Sequence, residues 1–134
     1  MNLRQKRIFV VEDNLEKRIV YQLIFSREGA VVEFERWGPD AVAKLKRMQR
    51  VDLIILDLML ARSSSGYTIF DEIRMHHEFD DVPIVAVSSS DPSEAIPKTR
   101  GHGFSGYISK PIDQARFPQQ LCKIIEGDAV WEDS

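Results

Sequence analysis

Cysteine is almost missing from this chain. Cys122 is alone among 134 residues, so no internal disulfide can form, and a reducing compartment such as the cytoplasm is expected. Long apolar runs are missing too: nothing approaches the roughly 20 residues that a membrane span needs. Residues 1–7 are polar and basic and only four apolar residues follow them, so no secretory leader is expected. An excess of either charge sign is missing, with 18 Lys and Arg against 21 Asp and Glu, and a formal net charge of −3 argues against a dedicated nucleic-acid binder. The basic cluster Lys44, Lys46, Arg47 and Arg50 reads as the solvated face of a helix. His76, His77 and His102 lack the partner spacing of a metal site and read as surface residues. There are no repeats and no linker, so the length implies one domain, large enough to fold without a disulfide or metal staple.

What the chain does have is a set of short apolar runs that end in polar chemistry. Residues 51–60 are rich in branched side chains and are followed by a serine-rich loop, residues 61–66. The absence of alternation predicts a central strand buried on both faces of a parallel sheet. An unpaired carboxylate is costly to bury, so Asp57 belongs where this strand leaves the sheet. A first strand, residues 8–11, ends in Glu12-Asp13. Asn14 then caps a helix reaching about Glu28, with Ile19, Val20, Leu23 and Ile24 as its inner face. Residues 30–34 read as a strand nearer an edge. Gly38-Pro39-Asp40 opens a second helix that buries Ala41, Val42, Leu45 and Met48.

A third helix is expected over residues 68–77, with Ile69, Phe70 and Ile73 inward, and a fourth strand over 84–88. The fourth helix, near Ser93-Glu94, is expected to be short because Pro97 lies inside it and Gly101 and Gly103 follow. Residues 106–109 form a brief fifth strand before Lys110-Pro111. The last helix is capped near Asp113 and turns Phe117, Leu121, Ile124 and Ile125 inward, with an irregular opening around Pro118. Gly127 ends it, and residues 128–134 are expected to be a loosely held acidic tail beyond a domain of residues 1–127. Alternating strands and helices predict a doubly wound α/β fold: a five-stranded parallel sheet flanked by five helices, with all carboxyl ends on one rim.

That rim collects Glu12, Asp13, Asp57, Ser88 and Lys110. Carboxylates in contact repel by about 4 kcal/mol per pair at an effective dielectric of ~20, so the cluster calls for a cation. Hard oxygens at an open site suit Mg²⁺ (or Mn²⁺). A lysine and a hydroxyl facing a metal-bound carboxylate suit a phosphoryl group, with its charge and acceptor oxygens. Each residue alone has a plain structural explanation as a cap, turn or surface residue. Their joint placement at the same end of successive strands is what carries the signal. A small enzyme or flavin-binding protein of the same fold would want a phosphate-cradling loop after the first strand, where Glu12-Asp13-Asn14 repels phosphate unless a metal intervenes.

The combination Glu12-Asp13, Asp57, Ser88, Tyr107 and Lys110-Pro111 resembles the receiver domain of two-component response regulators, in the single-domain, chemotaxis-regulator-like form. The resemblance implies the flavodoxin-like strand order 2-1-3-4-5. It further implies Asp57 as phosphoacceptor and Asp13, Asp57, Glu12 and the Met59 carbonyl around Mg²⁺. Lys110 and Ser88 would bond the phosphoryl oxygens, and Tyr107 would be the aromatic that turns inward. A histidine kinase or histidine phosphotransfer protein and an unidentified downstream protein are the implied partners, with a monomer or a phosphorylation-dependent dimer as the assembly. Rather than an enzyme, the chain would be a switch, whether free-standing, cut from a longer regulator or hybrid kinase, or kept as an unphosphorylated docking module. It departs from the family pattern at Ala61, Ser65-Gly66, Ser89 and Met59. Met59 offers no polar group to orient water, so slow acyl-phosphate hydrolysis is expected.

Overall fold

The structure is a computed structural model that describes residues 2–36, 40–59 and 65–132. Gly38, Pro39 and Ala61 lie outside the described residues. The strands are β1 (Arg7–Val11), β2 (Val31–Glu35), β3 (Leu53–Leu56), β4 (Ile84–Ser88), β5 (Gly106–Ser109) and β6 (Val130–Glu132). Between them run α1 (Leu15–Glu28), α2 (Ala41–Arg47), α3 (Gly66–Arg74), α4 (Pro92–His102) and α5 (Phe117–Ile125). The sheet is fully parallel in the order β2-β1-β3-β4-β5-β6. The expected order of the first five strands is present, but the sheet has six strands rather than five. The correction comes from the acidic tail: its Val130-Trp131 pair is apolar enough to join the edge of β5.

Two apolar layers sandwich the sheet. One packs α1 and α5 on Ile8, Val10, Leu53, Ile55 and Val85. The other packs α2, α3 and α4 on Phe9, Val11, Ile54, Leu56 and Ala86. Because β1, β3 and β4 are buried on both faces, their sequences run apolar without alternation. Among the described residues no helix is long and apolar enough to cross a membrane.

Local departures from expectation have identifiable causes. Asn14 caps α1 as expected, its side chain accepting from the Lys17 amide. Its buried face, however, is Tyr21, Ile24 and Phe25, while Ile19 and Leu23 are 51% and 53% exposed. Tyr21 and Phe25 stack at 6.0 Å and both meet Phe117 of α5. Aromatic rings bury more surface than aliphatic chains, and this pair sets the rotation of the helix. The fourth helix is not short. Pro97 is tolerated because it lies on the exposed side of the helix, away from the core. Asp91 caps that helix, and Gly103, in the left-handed region at φ 111°, ends it.

The last helix starts at Phe117, so Pro118 falls in its first turn, where its missing N–H costs nothing. The preceding turn is held by the Asp113 carboxylate, which accepts from the amides of Ala115 and Arg116. Of the histidines, His102 is not a free surface group: its Nε2 pairs with Asp71 at 2.8 Å and its ring packs among Tyr67, Phe70 and Phe104. Cys122 is buried on α5, and burial pushes its thiol up, so it is unreactive packing.

Candidate functional site

Every strand from β1 to β5 delivers its carboxyl end to one rim, the place where open α/β sheets bind ligands. At its centre Lys110, just past β5, donates from Nζ to Glu12 Oε1 at 2.7 Å and to Asp57 Oδ2 at 2.8 Å. Both acids are buried: Glu12 is 1% and Asp57 8% exposed. Burial pulls the ammonium down, but Asp57 and then Glu12 outweigh it, so Lys110 titrates above its ordinary value and stays charged at neutral pH. The remaining carboxylate oxygens are also engaged. Asp57 Oδ1 accepts from the Met59 amide at 3.0 Å, and Glu12 Oε2 accepts from the Asn14 amide at 3.3 Å.

Asp13 is half-buried beside Glu12 at the same strand end. Among the described residues no three acidic, histidine or cysteine side chains form a ready metal cage. The cation that bridges the acids here is Lys110. Ser88 is fully buried at the end of β4, its hydroxyl paired with Ser90 Oγ at 2.9 Å. The Lys110 amide donates to the Ser88 carbonyl at 2.9 Å, which ties the β4 and β5 ends together. Tyr107 lies wholly inside, with its hydroxyl donating to Ser90 O at 3.0 Å and Ser88 O at 3.4 Å. Its burial, aided by the charges of Asp57 and Asp91, keeps its phenol above the usual value.

The structure thus joins Glu12, Asp57 and Lys110 through direct bonds, and Ser88, Tyr107 and Lys110 through the backbone. The Met59 side chain is exposed, 64% accessible, at the mouth of the site. Two further residues belong to the neighbourhood. Tyr21, buried on α1, is pushed well up by burial and then by the charges of Glu12 and Asp57. It lines a cavity of about 230 Å³ with Lys17, Lys110 and Pro111. No pattern in the sequence distinguishes it from an ordinary core aromatic. Gly66 opens α3 against the end of β3: a Cβ there would stand 2.5 Å from the Asp57 carbonyl oxygen. Its signal is its position, close after the loop that follows the central strand.

A doubly wound parallel sheet carrying an acid pair, a buried acid, a serine and a lysine on one rim defines a receiver-type signalling domain. The chain belongs to that family: the response regulator receiver domain model matches residues 8–122. It is 30% identical over 124 residues to the polar-differentiation response regulator DivK of Brucella anthropi, covering 92% of this chain and 98% of that protein. It is 29% identical to the sensor histidine kinase TmoS of Ectopseudomonas mendocina over 94% of this chain. The chain spans only 13% of TmoS, and 8% of the hybrid signal transduction histidine kinase D of Dictyostelium discoideum. Among solved structures, the receiver domain of the sensor histidine kinase PA1611 from Pseudomonas aeruginosa superposes with a TM-score of 0.80 at 28% identity, covering 91% of this chain and 98% of that one. That structure is described with magnesium coordinated in its active-site cleft. Chemotaxis protein CheY4 of Vibrio cholerae shares the fold, with a TM-score of 0.81 at 22% identity over 90% of this chain and 98% of that one.

Proposed function

We propose that this receiver accepts a phosphoryl group on Asp57 and uses it to switch protein–protein contacts. The observation that carries the reading is the Lys110 ammonium held at once by Glu12 and Asp57 on the ligand-binding rim. A half-buried lysine so placed is ready to bond a phosphoryl oxygen when Asp57 becomes an acyl phosphate. The donor is the phosphohistidine of a histidine kinase or phosphotransfer protein. A carboxylate oxygen of Asp57 attacks phosphorus, the N–P bond breaks, and the imidazole nitrogen keeps the electron pair. Charge-assisted bonds from Lys110, and from the Ser88 hydroxyl once it leaves Ser90, then favour the phosphorylated arrangement. The chain is a phosphoacceptor switch that passes its state to a further protein.

The donor set fits a divalent cation. Glu12 and Asp57 bring two carboxylates to one ammonium, and Asp13 stands half-buried beside Glu12 at the same strand end. These acids and the Met59 carbonyl are hard oxygen ligands of the kind Mg²⁺ takes. When bound, the ion screens the carboxylates from the incoming phosphoryl oxygens. Intact mass after incubation with acetyl phosphate and Mg²⁺ tests the reading. Wild type should gain one phosphoryl mass and Asp57→Asn none; no gain, or a gain kept by the variant, would refute it.

A further inference from the structure

β6 is held far more tightly than a three-residue edge strand needs to be. Val130 is buried in the α1–α5 core layer. Trp131 lies under the Arg100 guanidinium of α4, 4.9 Å from the ring centre. Glu132 accepts from Arg116 at 2.6 Å and from Gln120 of α5 at 2.8 Å. Gly106 of β5 makes the approach possible, since a Cβ there would stand 2.6 Å from the Val130 carbonyl oxygen. The segment is therefore fastened to α4, β5 and α5 together.

It is also connected to the rim. Trp131 is the register partner of Tyr107 and packs on the same core layer. The Tyr107 hydroxyl bonds the carbonyl of Ser90, and Ser90 holds the Ser88 hydroxyl through both its Oγ and its amide. A chain of contacts leads from the sheet edge to the Ser88 hydroxyl, which on the reading above bonds the phosphoryl group. The seated strand, the inward tyrosine and the Ser88–Ser90 pair form one arrangement.

We propose that segment Val130–Glu132 is a phosphorylation-sensitive strap. A phosphoryl group on Asp57 draws the Ser88 hydroxyl off Ser90, the turn that anchors Tyr107 shifts, and the strap loosens from β5, uncovering Arg100 and Arg116. This rests on the phosphoacceptor reading above. Coupling of this kind is reciprocal, because whatever loosens the strap also favours phosphorylation.

A Trp37→Phe chain leaves Trp131 as the single tryptophan. Acetyl phosphate and Mg²⁺ should raise its acrylamide quenching at least twofold, with intact mass read on the same sample. Tyr107→Phe, which keeps the ring but loses the bond to Ser90, should take the phosphoryl group without that rise. Hydrogen exchange of the β6 amides in the unsubstituted chain gives the same answer without relying on the Trp37 variant, and should speed up on phosphorylation. A full phosphoryl mass with Trp131 unchanged or better protected would overturn the strap alone, as would a wild-type response in Tyr107→Phe. No added mass would overturn the phosphoacceptor reading and the strap with it.

Discussion

Replacing Lys110 with methionine removes the cation that bridges Glu12 and Asp57 while keeping an unbranched chain of similar bulk. Both acids contact one nitrogen, at 2.7 and 2.8 Å, so their nearest oxygens lie no more than about 5.5 Å apart. Two unit charges at about 5.5 Å repel by about 3 kcal/mol at an effective dielectric of ~20. Breaking a buried pair from one side generally costs about 3–5 kcal/mol, which agrees. Thermal unfolding in EDTA at pH 7 should therefore show a midpoint lowered by roughly 10 °C in a domain of this size. The deficit should shrink as the pH falls, because protonating either carboxylate removes the repulsion. It should also shrink when Mg²⁺ replaces the lost charge. In the wild type the lysine titrates above its ordinary value, so its contribution is complete at neutral pH, where both carboxylates are charged, and on the alkaline side is lost only as the pH climbs through that raised value. A variant within 1 kcal/mol of wild type at pH 7, with no response to acid or Mg²⁺, would show that the acids do not share that charge, and the electrostatic account of the rim would fail.

Other substitutions probe the packing and the chemistry separately. Gly66→Ala drives a Cβ to 2.5 Å from the Asp57 carbonyl oxygen, so the strand end must move. Urea unfolding should show a loss of about 1–3 kcal/mol, typical of overpacking, and phosphorylation followed by mass should slow. Met59→Asn places an amide at the exposed mouth of the site and should speed phosphate release from the acyl phosphate. An equal or slower release would count against water access as the limit. On α1, Ile19→Ser and Leu23→Ser should change stability by less than about 0.5 kcal/mol, whereas Ile24→Ala should cost about 2–5 kcal/mol in the same assay. Equal costs at all three positions would contradict the rotation set by Tyr21 and Phe25.

Why some of this was legible in the sequence and some was not comes down to range. Strands β1, β3 and β4 announce themselves because burial on both faces removes alternation, and the acids and the serine stand at their ends, where local order alone places them. The rotation of α1 is not local: Ile19 and Tyr21 are both apolar, and only the presence of Phe117 on a helix nearly a hundred residues later decides which one turns inward. The sixth strand is a stronger case. Val130 and Trp131 sit among acidic residues that read as solvated tail, and a strand of three residues has no period to detect. Its order comes from partners supplied elsewhere: a glycine in β5, guanidinium groups at Arg100 and Arg116, and the register of Tyr107. In the same way Lys110 could be placed at the rim by its strand, but its simultaneous hold on Glu12 and Asp57 depends on β1, β3 and β5 lying close together at one end of the sheet. Composition marks the residues able to do the chemistry, while the charge balance among them is a property of the assembled sheet.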